Sequence, residues 1–366
     1  MVRRIEVREL ERPPYEPTGE VDRYNPKYSA FNRRFWDSEL EDYFQEYYEV
    51  QNDHIVSEDE GYRLDDYALM GGAWHVQSLG EGMLSASGSL KDVGLYSWRD
   101  EPSPILSRGD NWPPVENHPL ETDPETGSKL LKSACGFYGA AETGITELDE
   151  RWVFSHTYDP KTDENKPLEI PEGLRYAVVF LVEMRLKNLK RSPSAFASAE
   201  TGLAYSKMAF VASSLAQFIR NLGYRAIPCG NDTALSIPLA IDAGLGQLGR
   251  NGLLITPRYG PRMRIAKVLT DMPLETDRPI DFGLTEFCEN CKKCAEKCEE
   301  EGPGAISFDE RTEGGPTISN NPGASKWYID PEKCIKFWAE NGTDCSTCIA
   351  ACPFSENEPG EVPERR

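Results

Sequence analysis

The chain has 366 residues, 39% of them hydrophobic, which is enough for one large core and a smaller module. Its formal net charge of -21 argues against non-specific binding to nucleic acid or anionic membrane, since both need a basic surface. The longest apolar runs, such as Ala177-Val178-Val179-Phe180-Leu181-Val182, are far shorter than the roughly 20 residues of a membrane span.

At the N-terminus, Arg3-Arg4 invites a twin-arginine export reading, but residues 5–11 supply no apolar stretch behind the pair. The expectation is a cytoplasmic chain as given, exported and membrane-associated if a leader was removed ahead of this numbering. Residues 1–127 read as a wrapping segment that contributes to a pocket, partly helical around 34–50. They hold Trp36, Trp74, Trp98 and Trp112 among charged stretches.

From residue 128 to 279 helix and strand patterns alternate, and the fold class is α+β. Residues 129–138 suit a helix, 144–148 a short strand and 176–182 a buried strand rich in β-branched side chains. Across 204–222, Met208, Val211, Leu215, Phe218 and Leu222 recur at steps of three and four, and Gly223 stops the helix. The same stripe carried back by three residues places Tyr205 on the inward face. A turn and helix follow over 230–240, then the glycine-rich stretch from Ala243 to Gly252. Strands are expected at 253–256 and 263–269, joined by a turn at 257–261. Residues 280–354 form a metal module, and 355–366 a mobile tail.

Ten cysteines are present, eight of them between Cys288 and Cys352 at ligand spacing. Cys288, Cys291, Cys294 and Cys298 follow the x2, x2, x3 rhythm of bacterial ferredoxins, where three thiolates hold one cubane and the fourth reaches the other cluster. Cys334, Cys345, Cys348 and Cys352, followed by Pro353, repeat the logic with the first gap widened to ten. Crossed ligation then predicts one 4Fe-4S cluster on Cys288, Cys291, Cys294 and Cys352, and a second on Cys298, Cys334, Cys345 and Cys348. The alternative is a pair of zinc sites, since four thiolates also suit tetrahedral zinc. Cys135 and Cys229 read as small buried apolar residues.

Two clusters in one chain make a wire that needs a terminus in the α+β core. No dinucleotide-binding glycine fingerprint stands between a strand and a helix there, so a different cofactor is implied.

The order of motifs resembles that of the reductive dehalogenases, corrinoid iron-sulfur enzymes, and more distantly epoxyqueuosine reductase. The pieces that carry it are Gly139-Ala140-Ala141, the run from Leu148 to Ser155, Ala204-Tyr205-Ser206, and the run from Gly230 to Pro238. After these come Ala243-Gly244-Leu245-Gly246, Gly249-Arg250-Asn251-Gly252, the run from Arg262 to Val268 and the two cysteine runs. The resemblance implies a nitroreductase-like corrinoid-binding core with a bacterial-ferredoxin-like double-cluster module at the C-terminus. It implies replacement of C-X by C-H in a small organohalide by a Co(I) corrinoid fed by the clusters. An external electron donor and a small membrane anchor protein are the implied partners, and nucleic acid is not expected. By position in the matching motifs, the proton donor falls on Tyr205, the basic residue beside it on Arg264, and the pocket asparagine on Asn231. Gly244, Gly246, Gly249 and Asn251 are the expected corrinoid contacts. None of the four histidines, His54, His75, His118 and His156, stands in an Asp-x-His-x-x-Gly setting, so the cobalamin is expected without a protein histidine ligand. Two other readings stay open: an epoxyqueuosine-type tRNA reductase using Asp232, and an electron-transfer subunit without corrinoid.

Overall fold

In the computed structural model the described residues are 6–15, 17–18, 21–40, 43–81, 94–98 and 119–356. Arg3-Arg4, Trp112, His118 and residues 357–366 of the expected tail lie outside them. The N-terminal part carries a short helical turn at Ala30–Arg33 and two longer helices, α1 (Tyr43–Ser57) and α2 (Leu64–Glu81). The helix expected around 34–50 is thus displaced toward the C-terminus.

The core that follows is built on four antiparallel strands: β1 (Glu142–Glu147), β2 (Tyr176–Glu183), β3 (Ala226–Cys229) and β4 (Met263–Thr270), in the order β1-β2-β4-β3. Strand side chains alternate between faces, and β2 is apolar on both. Val178, Phe180 and Val182, with Ala266 and Val268, meet α3 (Pro124–Tyr138) and α4 (Ala195–Asn221) through Leu131, Met208, Leu215 and Ile219. Ala177, Val179 and Leu181, with Leu269, meet Leu239, Ala240 and Ile241 of α5 (Ser236–Asp242) on the opposite face. Each large side chain so buried is worth about 1.5–3 kcal/mol relative to exposure, which makes the sheet a rigid platform for whatever projects from its ends.

The expected α+β architecture is observed, and several details of the core differ from the sequence expectation. Helix α4 begins at Ala195 rather than near 204. Ser194 caps it by accepting from the Ala197 amide, and its buried Glu200 is held by Arg185 and Asn188. Strand β3 was not foreseen, because it is four residues long and contains Pro228, which an edge strand tolerates. The strand expected at 253–256 shrinks to Leu254–Ile255, paired with Gln247–Leu248 in a separate small hairpin.

The C-terminal module holds α6 (Leu284–Cys291), α7 (Lys293–Glu301), α8 (Pro331–Asn341) and α9 (Thr347–Ala350). It is fastened to the core by buried arginines. Arg250 donates to the carbonyls of Cys288, Ser307 and Asp309 at 3.0, 2.9 and 2.8 Å, and Arg262 donates to that of Ser355 at 3.1 Å. The N-terminal segment touches both bodies. Arg8–Glu9 pairs with Ile280–Asp281, Arg23 donates to the carbonyls of Val153 and Phe154, and the Tyr62 hydroxyl donates to the Asn341 side chain. Among the described residues, no helix is long and apolar enough to cross a membrane.

Candidate active site and cluster-binding module

Sheet register decides what meets Tyr205. Arg264 pairs with Val182 in the ladder and shares its parity with Ala266 and Val268, so it projects toward α4 rather than α5. Its guanidinium carbon stands 4.8 Å from the centre of the Tyr205 ring, a cation–π contact. Its Nε is buried with no hydrogen-bond partner. From the loop after β3, Asn231 Nδ2 donates to the Tyr205 hydroxyl at 2.9 Å. The structure therefore brings Tyr205, Arg264 and Asn231 together from a helix, a strand and a loop far apart in sequence. Asn231 is exposed and Tyr205 only partly buried, so space remains above the trio.

That loop owes its shape to its neighbours. Lys267, of opposite parity to Ala266 and Val268, is fully buried, and its Nζ donates to the carbonyls of Gly230, Asp232 and Ala234 at 2.7, 2.8 and 2.7 Å. Asp232 is also fully buried and accepts from the Gly230 amide and the Thr233 hydroxyl, while Thr233 takes a left-handed φ of 68°. Burial pushes the Asp232 carboxyl up, against the pull of the Lys267 ammonium. Asp232 thus faces inward and holds the turn that turns Asn231 outward.

Two neighbours were not singled out from sequence. Trp74 of α2 stacks on Tyr205 with ring centres 5.1 Å apart and planes at 26°. It fits because Gly202 has no side chain: a Cβ there would lie 2.4 Å from the indole. Asp344 is the other; burial pushes its carboxyl up while the Arg264 guanidinium pulls it down. Sequence gave Trp74 only as one aromatic among several, and nothing in the pattern marks Asp344 beside Cys345.

The glycines expected to meet a corrinoid are used by the chain itself. A Cβ on Gly244, whose φ is +70°, would lie 2.2 Å from the Arg278 carbonyl oxygen, and one on Gly246 would lie 2.3 Å from that of Ile255. At Gly249 it would meet the Ile255 side chain at 2.7 Å. Asn251 lines a hollow together with Gly249, Arg250, Cys288, Cys291, Cys294 and Cys352. The packing therefore assigns the first two glycines to tight turning between α5 and the small hairpin, and turns Asn251 toward the thiols.

The cysteines fall into two groups. Burial, then the thiols of Cys294, Cys288 and Cys291, push Cys352 up to about 12. Burial, then Cys298 and Cys345, push Cys334 up to about 12, and Cys348 is raised by burial, then by Cys345, Cys334, Cys298 and Cys294. Cys352, from the second run, also lines one hollow with Cys288, Cys291 and Cys294 of the first. Groups of soft, mostly half-buried thiols suit an iron-sulfur cluster, which binds them as thiolates and displaces their protons. A single zinc ion, with Zn–S near 2.3 Å, would draw four sulfurs to within about 4 Å of one another. Among the described residues no three His, Cys, Asp or Glu side chains are placed to hold a metal ion. Cys135 and Cys229 are fully buried in the two faces of the core, where burial raises both thiols.

An α+β core carrying eight such thiols in a C-terminal module defines an iron-sulfur protein of the dicluster class, and residues 287–355 match the family model described as a 4Fe-4S dicluster domain. The chain is 36% identical over 358 residues to a tetrachloroethene reductive dehalogenase of Desulfitobacterium hafniense, covering 80% of this chain and 62% of that protein. Its fold superposes on a solved catabolic reductive dehalogenase with a TM-score of 0.68 at 25% identity, over 96% of this chain and 44% of the other. An epoxyqueuosine reductase of Lactococcus garvieae is more distantly similar, 29% identical over 131 residues that cover 33% of this chain and 32% of that protein. Over four fifths of its own length the chain is thus similar to reductive dehalogenases. It spans about three fifths of the length of the first of these relatives.

Proposed function

We propose that this chain catalyses reductive dehalogenation, replacing the C-X bond of a small organohalide by C-H with two electrons and one proton consumed and halide released. The observation that carries the reading is the convergence of Tyr205, Asn231 and Arg264 on one partly open face of the core. Cys288, Cys291, Cys294 and Cys352 hold one 4Fe-4S cluster, and Cys298, Cys334, Cys345 and Cys348 the other; together they pass on electrons from an external donor. Tyr205, Asn231 and Arg264 would border a bound corrinoid, which would supply the two-electron reducing chemistry. The unpartnered Nε of Arg264 and the exposed side of Asn231 suit such a polar neighbour, since a buried donor without an acceptor costs about 1–3 kcal/mol.

The protein's own part is proton delivery and charge placement. The Tyr205 hydroxyl gives its proton to the carbon that loses halogen. Asn231 Nδ2, already donating to that oxygen, fixes the rotation of the hydroxyl so that its proton points away from the asparagine and into the open space. The positive charge of Arg264 over the ring stabilises the phenolate that remains. Trp74, lying flat on the ring, keeps water from one side of it.

Tyr205→Phe tests this. The variant should keep its iron and corrinoid content and lose about 10²–10⁴-fold in halide release, the usual worth of a positioned general acid. Near-normal turnover in that variant rejects the assignment.

A further inference from the structure

We infer that Asn251 is a hydrogen-bond donor to a sulfur of the cluster bound by Cys288, Cys291, Cys294 and Cys352, and that it raises the reduction potential of that cluster selectively. The inference rests on the reading of these thiols as cluster ligands and adds to it a residue outside both cysteine runs.

Several observations lead there. Asn251 is 4% exposed, so its amide must be satisfied inside the protein or carry a penalty of about 1–3 kcal/mol. One end is satisfied: Oδ1 accepts from the Leu253 amide at 3.3 Å, which fixes the flip of the group and directs Nδ2 the other way. The other end, Nδ2, is buried and meets no acceptor in the protein. The hollow that Asn251 lines is formed by Cys288, Cys291, Cys294 and Cys352, with Phe287, Phe354 and the 249–251 loop as its wall. Gly249 makes this seat available, because a Cβ on it would crowd Asn251 Oδ1 at 3.0 Å as well as Ile255.

The chemistry that completes such a donor is a soft, negatively charged acceptor. A cluster sulfide or thiolate sulfur in that hollow is one, and the Arg250 backbone N–H is already directed at the Cys288 sulfur from the same loop. Donors to cluster sulfur favour the more negatively charged, reduced state and raise the potential. The other four thiols have donors of their own, among them the Ala305 N–H on Cys298 at 3.4 Å and the Ser192 hydroxyl on Cys345 at 3.9 Å, but Asn251 lines only the hollow of Cys288, Cys291, Cys294 and Cys352, so its effect falls on that one cluster.

The test uses the full chain reconstituted with iron and sulfide, with potentials of both clusters followed by EPR-monitored redox titration. Asn251→Leu keeps the volume and removes the donor. At a fixed solution potential, the reduced-to-oxidised ratio of one cluster should fall several-fold, a tenfold fall being about 59 mV for a one-electron couple. The cluster that moves should be the one lost in Cys288→Ser. Unchanged potentials in a fully loaded Asn251→Leu protein overturn the inference, as does movement of the other cluster alone. For a variant that loads poorly, the unsubstituted protein labelled with ¹⁵N in its asparagine side chains gives a second measurement. Its reduced cluster should show a ¹⁵N hyperfine coupling, and the absence of that coupling overturns the inference equally. A chain that takes up no iron and sulfide at all rejects the underlying reading of the thiols, whereas loaded clusters indifferent to residue 251 reject only the role of Asn251.

Discussion

Neighbouring side chains in this fold are sent to opposite fates by backbone geometry. Asn231 and Asp232 are consecutive, yet the first is exposed and donates to Tyr205 while the second is fully buried and organises its own turn through Gly230 and Thr233. Sequence reading names both as candidate active residues, because pattern alone does not say which way a turn rolls. The buried Lys267, whose ammonium ties three carbonyls of that turn, makes the decision. The cysteines are the opposite case. Their spacing alone predicts a crossed partition, since x2 and x3 steps limit how thiolates can wrap a cubane. Cys352, last in the second run, stands among the thiols of the first. Cys352→Ser and Cys294→Ser should therefore extinguish the same EPR signal and remove about half of the iron, while Cys298→Ser and Cys348→Ser extinguish the other. Loss of the same cluster in Cys352→Ser and Cys348→Ser would show ligation by run instead of across runs.

Helix α4 joins the two halves of the site, and its first half owes its place to contacts made across the molecule. The stripe from Met208 to Leu222 is legible because its apolar side chains face the sheet at helical period. The earlier turns, Ala195 to Leu203, hold a buried Glu200 and a glycine, both of which read against a buried helix. Arg185 satisfies the first and Trp74 fills the space left by the second. Likewise β2 and β4 are readable from β-branched content, while β3 is a strand only because β4 offers it a ladder. The helix α3 starts at Pro124, earlier than its apolar pattern, and there the signal was present in Asp123 as cap and Pro124 at the first turn. Gly202 gives the element-scale prediction. Gly202→Val places carbon where indole atoms of Trp74 now lie 2.4–2.6 Å from a Cβ, so α2 must shift off α4. The expected cost is about 1–3 kcal/mol in chemical denaturation, as for overpacking generally. Turnover should fall further than stability alone explains, because the Trp74 ring leaves Tyr205. Native stability with unaltered tryptophan fluorescence would refute this account of the α2–α4 contact.

At the scale of the whole molecule, the N-terminal segment acts as a strap whose anchors lie on both the core and the cluster module. Arg33, 3% exposed, is paired with Asp37 and with Glu332 of α8, so it ties the segment to the module. Tyr15 ties it to the core. Its hydroxyl donates to Asp242 Oδ1 at 2.8 Å, the Trp152 indole donates to Oδ2 at 3.1 Å, and the two rings meet edge to face. Burial raises the Asp242 carboxyl from 3.8 to about 6, and the two hydrogen bonds only partly offset this. The sign of the linkage follows. Between about pH 4 and 6 the unfolded chain gives up this proton while the folded chain keeps it, so the contribution of Asp242 to stability falls as pH rises through that window, then levels off. Other carboxylates titrate in the same range, and a chain of net charge -21 has many, so the raw pH profile mixes their effects. Asp242→Asn isolates the one group. A protonated carboxyl and an asparagine amide each offer one carbonyl acceptor for the Trp152 indole and one donor for the Tyr15 oxygen, so near pH 4 the variant should be about as stable as the parent. By pH 7, where the parent carries a buried charge and the variant does not, the variant should be the more stable of the two. Thermal unfolding of the two proteins across pH 4 to 7 measures the difference directly; a constant gap would mean that Asp242 titrates as an ordinary carboxylate and that the strap is indifferent to its charge.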